Sequence, residues 1–203
     1  MSFAVGYAMQ FDANKLVTVL DKLLSSSIRY EMRGMVGKVR PLTRRVSDIR
    51  QLDCSGFVEY VIYHGTTDNV NLPSGSVTQR SKIASDASHT VADYLKEAEL
   101  RDDIVRIGFR DTIAKRDETG AVMRDSAGNS LKDQVGHVWL VINGSTYEST
   151  SKGGRGKGPK SLKWDERKSD ADHFYKLGAA PGFGRIQLGH WLERELEPLT
   201  SLF

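Results

Sequence analysis

Cysteine is almost absent from this chain: Cys54 is the only one in 203 residues. A single thiol forms no internal disulfide, so the fold does not depend on an oxidising compartment. Aromatic residues are scarce, at 8%. The basic stretches hold only Tyr30 and Trp164, which argues against stacking on nucleic-acid bases. No apolar run reaches the roughly 18 residues that a spanning helix needs. The N-terminus "MSFAVGYAMQFDANK" lacks a basic leader and a long apolar core, so no secretory signal is expected. No internal repeat, zinc-type Cys/His cluster or EF-hand pattern occurs, so neither metal nor other cofactor is expected.

What remains is the composition of a soluble globular protein, 39% hydrophobic and 27% charged. The length fits one domain and can bury a real core. The net charge is only +3, but it is unevenly spread. Residues 29–50 hold seven Lys/Arg against two acids, as do residues 151–168. Such stretches are either solvated loops or a surface for an anionic polymer.

Apolar spacing predicts a helix over 12–25, with Leu16, Val17, Leu20 and Leu23 on one face and Asp12 as its cap. Residues 30–52 read as a basic loop. A second helix follows from Cys54 to Tyr63, with Phe57, Val58, Val61 and Ile62 as its stripe. The turn residues of "HGTTDNVNLPSGS" end it. A further helix is expected over 89–100 and a strand over 103–109. Hairpin-like excursions are expected between 114 and 133. "GHVWLVING", 136–144, is the strongest strand, and Asn143–Gly144 turns it back into "STYEST". "FGRIQLG", 183–189, reads as a last strand, with a short helix after it. Helices early and strands late indicate an α+β domain with an antiparallel sheet.

Cys54 falls at the start of its helix, where backbone N–H groups favour a thiolate. Ser55 and Gly56 are small enough to let a substrate approach the backbone. A cysteine nucleophile needs a base, and the base needs an orienting group. His137 stands at the entry of the best strand, and the hairpin brings Glu148 back beside it. A carboxylate there would stabilise an imidazolium. His64 lies ten residues beyond Cys54, roughly 15 Å along a helix, and is read as a helix C-terminal cap. His89, His173 and His190 have no partner pattern.

"LDCSGFVEYVIYHG" resembles the Asp-Cys-Ser-Gly-Phe/Leu-Val signature of the NlpC family, papain-like cysteine peptidases that cut the peptide stems of bacterial peptidoglycan. "GHVWLVINGSTYEST" resembles that family's second signature, a Gly-His-Val strand followed by a hairpin. The resemblance implies a papain-like NlpC-type fold, with N-terminal helices packed on a central antiparallel β-sheet. It implies one domain over 1–203, its core at about 30–188, with helix 12–25 and the extension 189–203 packed on it. Cys54 would be the nucleophile and His137 the general base. The third polar residue is usually His, Asn or Gln in the family. Here Glu148 is the best match, one position nearer than usual, with Ser149 and Thr150 as alternatives. Tyr30 would bring a hydroxyl near the thiol, at a longer interval than usual. Asp53 matches the signature acid, as a helix cap or loop anchor.

The substrate implied is a peptidoglycan peptide. A wall hydrolase without a leader resembles enzymes delivered by phage tails or type VI secretion. That implies a secretion-machinery carrier, a cognate immunity protein and action in the periplasm of a target cell. Two other readings stand beside it. One is a papain-like deamidase or acyltransferase acting on a protein. The other is a non-catalytic module binding an anionic polymer.

Overall fold

The computed structural model describes residues 9–31, 41–86, 90–91, 102–151 and 158–189. The chain opens with a short strand, β1 (Met9–Gln10), and helix α1 (Ala13–Leu24). Asp12 caps α1 by accepting from the N–H groups of Asn14 and Lys15 at 2.9 and 3.0 Å. The expected stripe, Leu16, Val17, Leu20 and Leu23, is buried. α2 (Cys54–Gly65) packs against α1. It is buried almost all round, as a helix enclosed by a core must be. A side chain at Gly65 would meet Leu16 Cδ1 at 2.8 Å, so glycine sets how closely the two helices approach.

The main sheet is built from β3 (Ile104–Arg110), β6 (His137–Ile142), β7 (Ser145–Thr150), β8 (Gly158–Lys163) and β9 (His173–Ala179). Its order is β1-β9-β3-β6-β7-β8, and β2 (Thr90–Val91) also pairs with β9. All pairings are antiparallel except β1 with β9. The architecture is therefore α+β, with helices on a largely antiparallel sheet. Alternation along β6 divides the core. Val138, Leu140 and Ile142 face the helices. Trp139 and Val141 face a second cluster with Trp164 and Phe174. Asn143 and Gly144, with φ of 50° and 74°, make the β6–β7 turn.

Several expectations change. Residues 183–189 are helical, not a strand. Gly182 turns the chain at φ 82°, and Phe183 and Ile186, three residues apart, both pack on the main core. That spacing suits one helical face. The last strand is β9. α3 (Ser76–Ala84) starts where the turn residues of "HGTTDNVNLPSGS" end, in a stretch for which the sequence predicts no element. Only Gln79 and Ile83 of it are buried, so it carries no apolar stripe. Of the helix expected over 89–100, Thr90–Val91 form β2 and the rest lies outside the described residues. The terminal helix and the extension beyond 189 also lie outside them. The excursions around 114–133 are present. β4 (Ile113–Ala114) pairs with β5 (Lys132–Gln134), and the Asp117 and Asp125 carboxylates each hold a turn, accepting from the N–H groups of Thr119 and Ala121 and of Ala127 and Asn129. No helix among the described residues is long and apolar enough to cross a membrane.

Candidate active site

Asp53 is the N-cap of α2. Its Oδ1 accepts from Gly56 N–H at 2.6 Å and from the Ser55 hydroxyl at 2.9 Å. Ser55 and Gly56 are buried and serve this cap. Gln79 of α3 donates to the Ser55 carbonyl at 3.0 Å. The cap fixes the first helical turn and so the direction of the Cys54 side chain. The thiol is 7% exposed. Burial pushes it up to about 12, and the Asp53 carboxylate adds to that. The N–H groups of Val138, Ser55 and Cys54 pull the other way. The helix-terminus effect expected from sequence is thus present but outweighed, because removing a thiolate from water costs more than a few N–H dipoles return.

Val138, whose backbone N–H favours the Cys54 thiolate, is the residue after His137. The imidazole lies on the other face of β6, stacked on Trp139 with ring centroids 5.7 Å apart. Its Nε2 contacts Glu148 Oε2 across the hairpin. That leaves Nδ1 as the nitrogen available to a thiol. Glu148 is wholly buried. Burial alone would raise its carboxyl, but the hydrogen bonds from His137 and Arg167 win and hold it down at about 2. His137 is shifted down by burial, against the pull of Glu148. The resting pair is a carboxylate and a neutral imidazole.

Arg167, absent from the sequence reading, is the main addition. Its Nε and Nη2 donate to the two Glu148 oxygens, each at 2.7 Å, and Nη1 donates to Asp170 at 2.7 Å. It belongs to the basic stretch 151–168, where nothing in the sequence separates a buried arginine from a solvated one. Ser149, one alternative orienter, faces the helices and donates to the Leu52 carbonyl at 2.7 Å. That ties β7 to the chain just before Asp53.

Tyr30 reaches the site despite its distance in sequence. Arg29 bridges Gln51 in parallel, and Leu52 N–H donates to the Arg29 carbonyl at 2.9 Å. A side chain at Gly158 would lie 2.2 Å from the Ile28 carbonyl oxygen, so glycine lets this segment pass against β8. Burial raises the Tyr30 hydroxyl, and the nearby Cys54 and Asp53 add to the shift. Tyr30 and His137 line one cleft of about 370 Å³ with Arg110, Gln134, Gly136 and Thr150. Arg110 sits opposite His137 in the β3–β6 register.

No family model matches the chain, and no curated protein matches it. Among solved structures, the chain is similar to the peptidoglycan hydrolase RipB from Mycobacterium tuberculosis, at 16% sequence identity and a TM-score of 0.41. The match covers 81% of this chain and 63% of that one, so the chain spans less than two thirds of that relative.

The remaining histidines are elsewhere. His64 Nε2 lies 2.8 Å from the Leu42 carbonyl oxygen and packs on Tyr60 and Tyr63. It fastens the 41–48 segment to α2 and does not cap its own helix. His173 does have partners: its Nε2 is 3.1 Å from Asp111 Oδ2 and 2.9 Å from Arg80 Nη1. His89 and His190 lie outside the described residues. Among the described residues no group of three or more His, Cys, Asp or Glu is arranged to hold a metal ion.

Proposed function

We propose that the chain is a cysteine peptidase or amidase of NlpC type that hydrolyses amide bonds in the peptides of bacterial peptidoglycan. One observation carries this reading. The lone cysteine heads a buried helix, the backbone N–H of Val138 favours its thiolate, and the residue before Val138 is a histidine already paired with a buried carboxylate. The two sequence signatures around Cys54 and His137 support the substrate class. So does the cleft itself: Arg110 presents a cation, which suits a peptide bearing carboxylates.

In the proposed reaction, the thiol proton passes to His137 Nδ1 as the sulfur attacks the amide carbonyl. The N–H of Cys54 helps hold the oxyanion. The tetrahedral intermediate collapses, the C–N bond breaks, and His137 gives the proton to the leaving amine. Water then attacks the thioester while His137 takes its proton, and the acid departs as the thiol is restored. Because the resting thiol is neutral, proton transfer accompanies attack. Tyr30, protonated at all working pH values, can donate to the sulfur or to the substrate. We read the protein as a delivered antibacterial effector acting in a target periplasm, with a carrier and an immunity partner. That part rests on the sequence resemblance alone.

The test is digestion of purified sacculi of several stem chemotypes by wild type and Cys54→Ala, followed by muropeptide analysis. New stem fragments with wild type only are expected. Equal digestion by both, or none with any chemotype, rejects the reading. A Cys54 that labels with an activity probe while every sacculus stays intact moves the thiol to a protein substrate.

A further inference from the structure

Arg167 lies between the short 3-10 turns Trp164–Glu166 and Lys168–Asp170, which connect β8 to β9. It is only 4% exposed. Burying a guanidinium is unfavourable unless its hydrogen bonds are met. Here both fork positions go to Glu148 and the third to Asp170. Glu148 poses a complementary problem. A buried carboxylate touching an imidazole and balanced by nothing else draws a proton onto that imidazole. A doubly protonated ring has no lone pair with which to accept the thiol proton.

We propose that Arg167 is a positioning residue that holds Glu148 in a fixed fork and balances its charge, so that His137 rests as a neutral ring with its proton on Nε2 and Nδ1 free to act as the base. This deepens the reading of His137 as the base and rests on it.

The other charged groups around the ring do not replace Arg167. Arg110, from β3, lies opposite His137 but donates through Nε to the Val135 carbonyl at 3.1 Å and approaches Asp170 at 3.7 Å. Lys160, on β8, stands opposite Glu148 in register and is half-buried. Both cations act in the same direction as Arg167. Asp53 and Asp170 oppose them, and Asp133 lines the cleft. Cys54 and Tyr30 are neutral at working pH. Arg167 differs from the other cations in bonding both oxygens of Glu148.

The experiment is nitrogen NMR of the histidine rings across pH in the full chain, with His137 assigned by loss of its signal in His137→Gln. In wild type at pH 7 a singly protonated ring with the proton on Nε2 is expected. A doubly protonated ring there overturns the proposal with no variant needed. In Arg167→Gln the midpoint of the His137–Glu148 pair is expected to rise by about one pH unit, since a nearby cation that favoured the neutral ring is gone. Arg167→Lys is expected to return it more than halfway to wild type. The acid limb of activity should move with the midpoint. A folded Arg167→Gln whose midpoint stays or falls overturns the proposal. Should Arg167→Gln not fold, the wild-type spectrum decides. The spectra do not depend on the substrate, so the inference survives if sacculi prove not to be one.

Discussion

His137 Nε2 meets the Glu148 carboxylate across a two-residue turn, eleven positions away in sequence. The pair sits on the face of β6 and β7 turned away from α2, while Cys54, at the head of α2, is on the helix side and feels the Val138 N–H of the same strand. The site is thus assembled around the end of one strand, and each approach to it makes a separate prediction.

Cys54 is expected to be a slow thiol at rest. With burial holding it near 12, alkylation by iodoacetamide at pH 7 should be slower than that of a free cysteine derivative and should climb with pH. A fast rate that is flat below pH 7 would instead reveal a standing thiolate–imidazolium pair.

Asp53 has two effects that substitutions separate. Asp53→Asn keeps the cap acceptor but removes the charge that raises the thiol, so Cys54 alkylation at pH 8 should quicken with little change in melting temperature. Asp53→Ala loses the cap and should cost about 1 kcal/mol of stability. Identical behaviour of the two variants in both measurements would contradict this assignment.

Glu148 links the site to acid stability. Its folded carboxyl is held down at about 2 from an ordinary 4.5. A depressed carboxyl contributes stability that is full above the unfolded value and is lost as pH falls from about 4.5 through 2. The loss attributable to it should be on the order of 3 kcal/mol. Glu148→Gln should start less stable at pH 7 and show a shallower decline over that window. Parallel denaturation curves for the two proteins would exclude the linkage.

Gly108 tests the support beneath the histidine. A side chain there would meet the Trp139 ring at 2.5 Å, and Trp139 stacks on His137. Gly108→Ala is expected to cost about 1–3 kcal/mol through overpacking and to reduce turnover more than Cys54 alkylation. Unchanged melting would show that the ring shifts freely.

Much of this was readable from local pattern. The α1 and α2 stripes, the Asp12 and Asp53 caps and the Asn143–Gly144 hairpin all depend on neighbours within a few residues. They appear in sequence because helical and strand periods place those side chains on one face. Glu148 was legible for the same reason, since a tight hairpin converts sequence distance into cross-strand contact. β9 and α3 were not. β9 gains its identity from pairing on both edges, and α3 from burying Gln79 and Ile83 against a helix formed elsewhere. Residues 183–189 alternated well enough to resemble a strand, but the burial of Phe183 and Ile186 on one face made them a helix.

The sequence by itself determined which groups could do chemistry: one thiol, its acidic cap, and a histidine and carboxylate on a single hairpin. Only the tertiary structure decided their state. Burial raised the thiol, and it lowered the imidazole. Arg167, 19 positions from Glu148, was brought from a stretch that reads as solvated loop to balance a wholly buried carboxylate. Proton affinity depends on surrounding dielectric and nearby charge, and both are properties of the folded packing.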